Sequence, residues 1–288
     1  MTAASIKRLL SGTINGVATV SPNLAGKLAF EMFKRPVRVR GARSRKSIEV
    51  LGDAATDEVA VNGQAHRRYR WGTPGQPTIL LAHGWSSNTA VWARFIPELI
   101  DAGFHLIGVD ATGHGDSEGR KTNPIEYAAV LRAAAPEARI IMGHSFGGFA
   151  SAIAASDALE AGEQPMYRGL VLIGAPFGSE VVLRSFSSEL TLNRKATHGL
   201  VREFEAEYGA LETLPDVAEL TGSTSAQVLV IHDTDDVEIE PEPMFTGMAG
   251  QQRVELYETQ GLGHRRIMRS AEVIERAVAF CRRVVPVS

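Results

Sequence analysis

Cysteine is almost absent from this sequence, and long apolar runs are missing altogether. Cys281 is the one cysteine among 288 residues, which excludes an internal disulfide and a cysteine-ligated metal cluster. No segment reaches the ~18 uninterrupted apolar residues that a membrane-spanning helix needs. The net charge of −3 at pH 7 gives no electrostatic reason to expect a nucleic-acid partner. We expect Cys281 to be a small buried apolar side chain.

The N-terminus also lacks the pattern of a secretory signal. Lys7 and Arg8 precede an apolar run, but polar residues and a glycine interrupt that run, and no convincing cleavage site follows it. A cytoplasmic location is therefore expected.

Residues 1–47 differ in composition from the rest of the chain. Leu24, Leu28 and Phe33 recur near helical spacing, and residues 34–46 are rich in arginine and lysine. This pattern is typical of a basic amphipathic segment that contacts a membrane or a partner, or of a helix that packs on its own domain with a solvated basic end. We favour the second interpretation and predict an N-terminal extension at 1–47, followed by a domain at 48–288.

Short apolar segments alternate with helix-like segments through this predicted domain. Continuous apolar strands between helices indicate a mostly parallel sheet that is covered by helices on both faces. The alternation is interrupted at about 177–226, where only helix-like polar segments occur, and we predict an insertion above the sheet. The strand-like segments are 78–82, 105–110, 139–143, 170–174, 228–231 and 254–257, and the helix-like segments outside the insertion are 90–102, 125–135, 147–159 and 271–283.

Two segments match the G-x-S-x-G pattern of a nucleophilic serine, one centred on Ser145 and one on Ser117. A nucleophile elbow needs a strand before the serine and a helix after it, because the turn lifts the side chain above the sheet and the helix N-terminus favours developing negative charge. Ser145 has that context, whereas charged residues surround Ser117 and Pro124 follows soon after it. We predict Ser145 as the nucleophile and Ser117 as a hydrogen-bonding loop residue.

A serine nucleophile needs a base, and histidine titrates in the required range. His198, His232 and His264 follow Ser145 in the chain. His264 is the predicted base, because it lies between the last strand and the last helix in a loop whose glycines let the ring reach the serine. His198 is predicted to be a surface residue of the insertion, and His232 to support the acid.

The acid that orients the histidine should follow the fifth strand-like segment. Asp236 has the best spacing from the end of that strand and is the predicted acid. Four other carboxylates remain alternatives: Asp233, Asp235, Glu238 and, after an earlier strand, Asp110.

Acyl transfer also needs backbone N–H donors where the oxyanion forms. We predict that Phe146, directly after the nucleophile, supplies one donor, and that Trp85, in the loop after the first strand-like segment, supplies the other. His83 is the predicted scaffold of that loop. The substrate-binding residues are predicted to be Trp85, His144, Phe146 and Phe177.

Taken in order, five segments of the chain resemble the α/β-hydrolase superfamily. The resemblance implies an eight-stranded sheet with its second strand antiparallel, no cofactor, and a variable cap after the sixth strand, where the insertion falls. One departure is Asp233, since many relatives have glycine there. The five segments are HGW at 83–85, VDATGHGDSEG at 109–119, GHSFGG at 143–148, IHDTDD at 231–236 and GLGH at 261–264.

These residues and the resemblance predict a serine hydrolase that cleaves carboxylic esters of small molecules. Thioesters and C–C bonds of the β-diketone type would use the same residues, and acyl transfer to an alcohol or thiol is a further alternative. Relatives that hydrolyse epoxides or haloalkanes use aspartate in place of serine, which argues against those reactions. A non-catalytic binding module is disfavoured, because every position of the triad is filled.

Overall fold

The computed structural model describes residues 3–41, 44–162 and 167–287, so residues 1–2 and 42–43 of the predicted extension lie outside the described residues. None of the described helices combines the length and the apolar character that crossing a bilayer requires. The described chain contains the α-helices α1 (Ala3–Val20), α2 (Pro22–Phe33), α3 (Arg45–Gly52), α4 (Phe95–Asp101), α5 (Pro124–Ala134), α6 (Phe146–Glu160), α7 (Ser179–Glu189), α8 (Arg194–Tyr208), α9 (Val217–Gly222), α10 (Glu242–Met248), α11 (Gly263–Arg266) and α12 (Ala271–Val284).

Eight strands form one sheet: β1 (Ala55–Val61), β2 (Gln64–Trp71), β3 (Thr78–Ala82), β4 (His105–Val109), β5 (Ile140–His144), β6 (Gly169–Ile173), β7 (Gln227–Asp233) and β8 (Val254–Thr259). Their order across the sheet is β1-β2-β4-β3-β5-β6-β7-β8. The strand β2 pairs antiparallel with β1 and β4, and the other neighbours pair parallel. This confirms the predicted fold, a mostly parallel eight-stranded sheet with its second strand antiparallel.

The centre of the sheet is the buried core. The strands β3 to β6 are buried along their whole lengths, because helices cover both faces of a parallel sheet. Cys281 of α12 belongs to this core and is fully buried, so the prediction for the single cysteine is confirmed. Since parallel strands end at the same edge, the loops after β3, β5, β6 and β7 all leave from one edge of the sheet.

The chain divides into two compact units. The helical unit comprises Met1–Arg35 and Gly178–Asp216, and the sheet unit comprises Pro36–Phe177 and Val217–Ser288. The N-terminal helices and the insertion, which the sequence predicts as separate parts, therefore share one apolar core. Its buried residues include Ile14, Ala18, Ala25, Ala29, Phe30, Leu183, Leu200 and Phe204.

Polar contacts also join the two segments of the helical unit. The Asn15 amide nitrogen donates to the carbonyl of Thr191, 176 residues further along the chain, at 2.9 Å. The Asn15 amide oxygen accepts from the backbone N–H of Asn193 at 2.8 Å. The unit is thus built from segments that are remote in sequence.

The helices α2 and α8 make their closest approach at a pair of glycines. A methyl group at Gly26 would lie 2.4 Å from the carbonyl carbon of Gly199, and a methyl group at Gly199 would lie 2.6 Å from the carbonyl oxygen of Pro22. These distances are shorter than any van der Waals contact, so this crossing requires glycine on both helices.

The basic segment that follows α2 belongs to the sheet unit. The Arg38 guanidinium donates to the carbonyls of Gly115, Ser117 and Gly119, and the Asn88 amide donates to the carbonyls of Val39 and Gly41. These bonds place the boundary between the units after Arg35, whereas composition alone places the end of the extension at residue 47.

Candidate active site

Ser145 lies in a tight turn between β5 and α6. Its backbone has φ 54° and ψ −123°, a strained conformation for a residue with a side chain. A methyl group at Gly143 would lie 2.5 Å from the Gly147 carbonyl oxygen, and one at Gly147 would lie 2.4 Å from the carbonyl oxygen of Ala82. The glycines on either side of the serine are thus required by the close approach of the strands to the helix. This strand–turn–helix is the context that the sequence predicts for the nucleophile.

Ser117, the centre of the second G-x-S-x-G match, has no such context. It is buried, its hydroxyl donates to the Asp110 carbonyl at 2.6 Å, and the same oxygen accepts from the backbone N–H of Arg67 at 2.9 Å. The bond from Arg67 holds the loop after β4 against β2, and the bond to Asp110 lies within that loop. The contacts agree with a structural role in that loop.

His264 and Asp236 form a close pair. The Nδ1 atom of His264 lies 2.7 Å from Oδ2 of Asp236, and Nε2 of His232 donates to the same oxygen at 3.1 Å. The other carboxylate oxygen, Oδ1, accepts from the backbone N–H groups of Glu238 and Ile239, each at 2.9 Å. Burial raises the pKa of Asp236, but the hydrogen bonds from His232 and His264 outweigh it and hold the pKa well below its usual value. The carboxyl is therefore ionised at neutral pH and fixes the orientation of the imidazole.

The other candidate acids make different contacts. Asp235 is exposed and accepts from the backbone N–H of Gly261, and Glu238 forms a two-point ion pair with Arg265. Asp110 accepts from the backbone N–H and the hydroxyl of Thr89, both at 2.8 Å. The described contacts thus pair His264 with Asp236.

The imidazole of His264 lies at the sheet edge where β5 and β6 end. Nε2 of His144 donates to the His264 carbonyl at 3.0 Å, and the two rings are 4.9 Å apart between centroids. A methyl group at Gly174, directly after β6, would lie 3.3 Å from Nδ1 of His264. Ser145 is at the same edge, since its backbone N–H donates to the carbonyl of Ile173, the last residue of β6. The edge therefore carries the predicted nucleophile, base and acid together.

The loop after β3 reaches Ser145. A methyl group at Gly84 would lie 3.2 Å from Cβ of Ser145. In the part of the chain that the structure describes, no group accepts from the backbone N–H of Trp85 or of Phe146. The predicted oxyanion donors therefore both have a free N–H group: that of Phe146 is next to the serine, and that of Trp85 is in the loop that reaches the serine.

Two buried histidines hold this loop in place. Nδ1 of His83 donates to the Gly84 carbonyl at 2.8 Å, and its Nε2 accepts from the backbone N–H of Ala111 at 3.0 Å, as expected for a scaffold residue. Nε2 of His114 accepts from the backbone N–H of Ser86 at 3.0 Å. His114 is not among the residues predicted from the sequence, although its place shortly after β4, at the edge that carries the site, is a signal for such a role.

Aromatic rings line one side of the candidate site. Trp85 meets Phe146 edge-to-face, with ring centroids 5.1 Å apart, and Phe146 stacks on Tyr127 at 5.5 Å. The ring of Phe177 lies instead against α10, since a methyl group added at Gly247 would be 2.1 Å from that ring. The substrate-binding roles of Trp85, His144, Phe146 and Phe177 stay predictions.

Three buried histidines of the sheet unit carry a pH dependence of stability. Burial is the main cause that lowers the pKa of His83 to about 4 and those of His114 and His144 to about 3, from an ordinary value of 6.5. The unfolded chain therefore takes up protons near pH 6.5 that the folded protein does not bind until much lower pH. We expect the free energy of unfolding to fall as the pH falls from 6.5 towards 4, by up to about 4 kcal/mol per pH unit for three protons.

Urea-induced unfolding between pH 4.5 and pH 7.5 measures this slope. His114→Gln removes one of the three protons that the chain takes up on unfolding. It should therefore reduce the slope by up to about 1.4 kcal/mol per pH unit. His198→Gln, at an exposed position of α8, is the matched control and should leave the slope as it is in the unchanged protein. Equal unfolding free energies at pH 5 and pH 7 would contradict the expectation.

Comparison with known proteins agrees with the observed fold. Residues 77–220, half of the chain, match the family model of the α/β hydrolase fold. The chain belongs to the α/β-hydrolase family. Among the described residues, no group of three or more His, Cys, Asp or Glu side chains is arranged to hold a metal ion.

Individual relatives are similar over part of the chain or at low identity. Epoxide hydrolase A of Mycobacterium tuberculosis is 41% identical over 59 residues, which are 20% of this chain and 18% of that protein. The pimeloyl-[acyl-carrier protein] methyl ester esterase of Vibrio atlanticus is 38% identical over 80 residues, which are 27% of this chain and 31% of that protein. The chain thus matches less than a third of the length of either relative. A solved esterase structure from Pyrococcus furiosus superimposes with a TM-score of 0.65 at 18% identity, and covers 87% of this chain and 97% of its own.

Proposed function

We propose that this protein is a serine hydrolase of carboxylic esters, with Ser145 as nucleophile, His264 as general base and acid, and Asp236 as the carboxylate that orients the histidine. The observation that carries the proposal is the 2.7 Å contact between His264 Nδ1 and Asp236 Oδ2, at the sheet edge where Ser145 occupies a strained elbow. Acyl transfer by a serine uses a histidine that a carboxylate orients in this way.

In the first half of the reaction, the Ser145 oxygen attacks the ester carbonyl carbon while Nε2 of His264 accepts the hydroxyl proton. The carbonyl π electrons move to the oxygen, which becomes an oxyanion that the N–H groups of Trp85 and Phe146 stabilise. When the tetrahedral intermediate collapses, the C–O bond to the alcohol breaks and His264 returns the proton to the leaving oxygen. The product is an alcohol and an acyl group on Ser145.

In the second half, His264 takes a proton from water, and the hydroxide attacks the acyl carbon. Collapse of the second intermediate breaks the bond to the Ser145 oxygen, which recovers its proton from His264. The carboxylic acid leaves and the residues return to their starting states. Asp236 stays ionised throughout, because four hydrogen-bond donors hold its charge.

The residue at the elbow, and not the relatives, favours an ester substrate over an epoxide. One of them is a methyl ester esterase by name and another is an epoxide hydrolase, but this chain has serine at the elbow, where relatives that open epoxides or haloalkanes use aspartate. Thioester hydrolysis, C–C bond hydrolysis and acyl transfer would use the same residues and are the alternatives. A cytoplasmic location, and a membrane or partner contact through residues 1–47, stay predictions.

The proposal is tested with p-nitrophenyl esters whose acyl chains run from acetate to palmitate, together with a fluorophosphonate probe. We expect turnover of at least one ester, and a covalent adduct that peptide mass spectrometry assigns to Ser145. The acyl length with the highest kcat/KM measures the size of the pocket. A folded protein that neither hydrolyses any ester nor reacts with the probe would refute the esterase proposal.

A further inference from the structure

Asp233, the last residue of β7, is a buried carboxylate with a complete set of donors. Its side chain accepts from the backbone N–H groups of Asp235, Leu262 and Gly263 at 3.1, 3.0 and 2.8 Å. It also accepts from the hydroxyl of Thr259 at 2.8 Å. The residue has no exposed surface, so these four bonds replace the water that a carboxylate would otherwise bind.

Three of the four donors belong to two different loops, and the fourth is the last residue of β8. Asp235 lies in the turn that carries Asp236, one residue before the acid. Leu262 and Gly263 lie in the loop that follows β8 and leads directly into His264. One carboxylate oxygen, Oδ1, accepts from both loops, since it bonds to the N–H groups of Asp235 and Gly263.

The loop before His264 is also held by Arg266, which donates to the Gly261 carbonyl at 2.7 Å, and by His144, which donates to the His264 carbonyl. Gly261 and Gly263 have φ angles of 79° and 61°, in the left-handed region that only glycine adopts without strain. The side-chain bond from Asp235 to the N–H of Gly261 is exposed to solvent. This loop contains two glycines, yet it has to position an imidazole precisely against a carboxylate. It therefore needs a buried anchor.

We propose that Asp233 is a positioning residue that joins the acid-bearing turn to the histidine-bearing loop and so holds His264 on Asp236. Where a relative has glycine at this position, no side-chain acceptor exists, so the dependence on this carboxylate is a property of this chain. The inference rests on the proposed function, because it assigns Asp233 a role through the triad. Asp233 does not touch the reacting atoms.

The test begins with Asp233→Asn, which keeps the shape of the side chain and replaces one acceptor oxygen with an N–H₂ group. In one orientation of the amide two backbone N–H groups then face a donor, and in the other the N–H of Leu262 does, while the Thr259 hydroxyl can turn and accept. We expect kcat for the best p-nitrophenyl ester to fall by about 10- to 100-fold, with KM changed by less than about 2-fold. Asp235→Asn, an exposed carboxylate of the same turn, is the matched control and should keep kcat within about 3-fold of the unchanged protein.

A double-mutant cycle with His264→Ala separates positioning from general destabilisation. If Asp233 acts through His264, then Asp233→Asn should cause no further loss in the His264→Ala background, where residual turnover is measured with long incubations. Thermal unfolding and probe labelling of the folded fraction correct each rate for unfolded protein. Equal kcat in Asp233→Asn and the unchanged protein, or an equal fold-loss in both backgrounds, would overturn the inference.

The outcomes distinguish the inference from the proposed function. If the unchanged protein has no esterase activity, the proposed function fails. If the unchanged protein is active and His264→Ala reduces that activity while Asp233→Asn does not, the proposed function stands and the positioning role is refuted. Should Asp233→Asn fail to fold, Thr259→Val removes one donor to Asp233 Oδ2 and should give a smaller loss of kcat that is again absent in the His264→Ala background.

Discussion

Ser145→Ala is expected to lower kcat/KM for ester hydrolysis by about 10⁴- to 10⁶-fold, because the acyl-enzyme route requires the serine oxygen and the remaining groups retain only oxyanion binding. Alanine also removes the site of fluorophosphonate labelling. Stopped or continuous assays with a p-nitrophenyl ester measure the loss, and active-site titration of the unchanged protein gives the number of competent sites.

Ser117→Ala is the matched control, since it removes the hydroxyl from the second G-x-S-x-G segment. It should lower stability by about 1–3 kcal/mol, because the buried N–H of Arg67 and the carbonyl of Asp110 lose their hydrogen-bond partner. Below the melting temperature, kcat should be retained. The assignment of the nucleophile would be wrong if Ser145→Ala kept activity or if Ser117→Ala abolished it with the fold intact.

The second large effect concerns glycine-to-alanine substitutions in the helical unit. Whether such a substitution stabilises or destabilises the protein depends on its position. At Gly26, the new methyl would lie 2.4 Å from backbone of Gly199, so the helices α2 and α8 must separate, at a cost of about 1–3 kcal/mol or more. At Gly16 in α1, no atom lies within 4 Å of the new methyl. The same substitution should there stabilise the helix by about 0.5–1 kcal/mol.

Limited proteolysis and thermal unfolding of Gly26→Ala and Gly16→Ala compare the two positions. We expect Gly26→Ala to melt at lower temperature and to be cleaved faster within Met1–Arg35 or Gly178–Asp216. Gly199→Ala repeats the test from the other helix and should behave like Gly26→Ala. If all three variants melted within about 1 °C of the unchanged protein, the close glycine crossing would be contradicted.

The central sheet could be predicted from the sequence, because a strand buried on both faces is apolar at every position. The segment 78–82 coincides with β3, and the other apolar segments mark the ends of β4 to β8 within two residues. The edge hairpin of β1 and β2 was missed, since its exposed faces carry charges and β2 alone contains three arginines and a histidine. Its signal was the Asn62-Gly63 turn, where both residues have positive φ, the signature of a tight hairpin.

One helix prediction was partly wrong for a local reason. The sequence predicts a helix over 90–102, whereas α4 begins at Phe95 after a separate 3-10 turn at Thr89–Trp92. Pro97 explains the difference, because its ring would clash with the carbonyl of residue 93 in a continuous helix. Proline is tolerated in the first turn, so the helix begins two residues before it.

At the candidate site, spacing indicates the right turn but leaves the choice among its carboxylates open. Asp233, Asp235 and Asp236 follow one another closely, and they differ in what their side chains face. Asp236 turns towards the two histidines, Asp233 towards the loop after β8, and Asp235 towards solvent. Only the fold of the turn decides which carboxylate receives which donor, and that fold depends on loops that are remote in sequence.

The discontinuous helical unit has a consequence for how the chain is made. Helices α1 and α2 leave the ribosome long before α8 exists, since Asn15 bonds to a residue 176 positions further on. At typical rates of protein synthesis, the apolar face around Phe30 waits on the order of 10 to 30 s for its partner. We therefore expect chaperones to bind the exposed face of α1 and α2 during translation, and the helical unit is completed only after all of the first six strands have been synthesised.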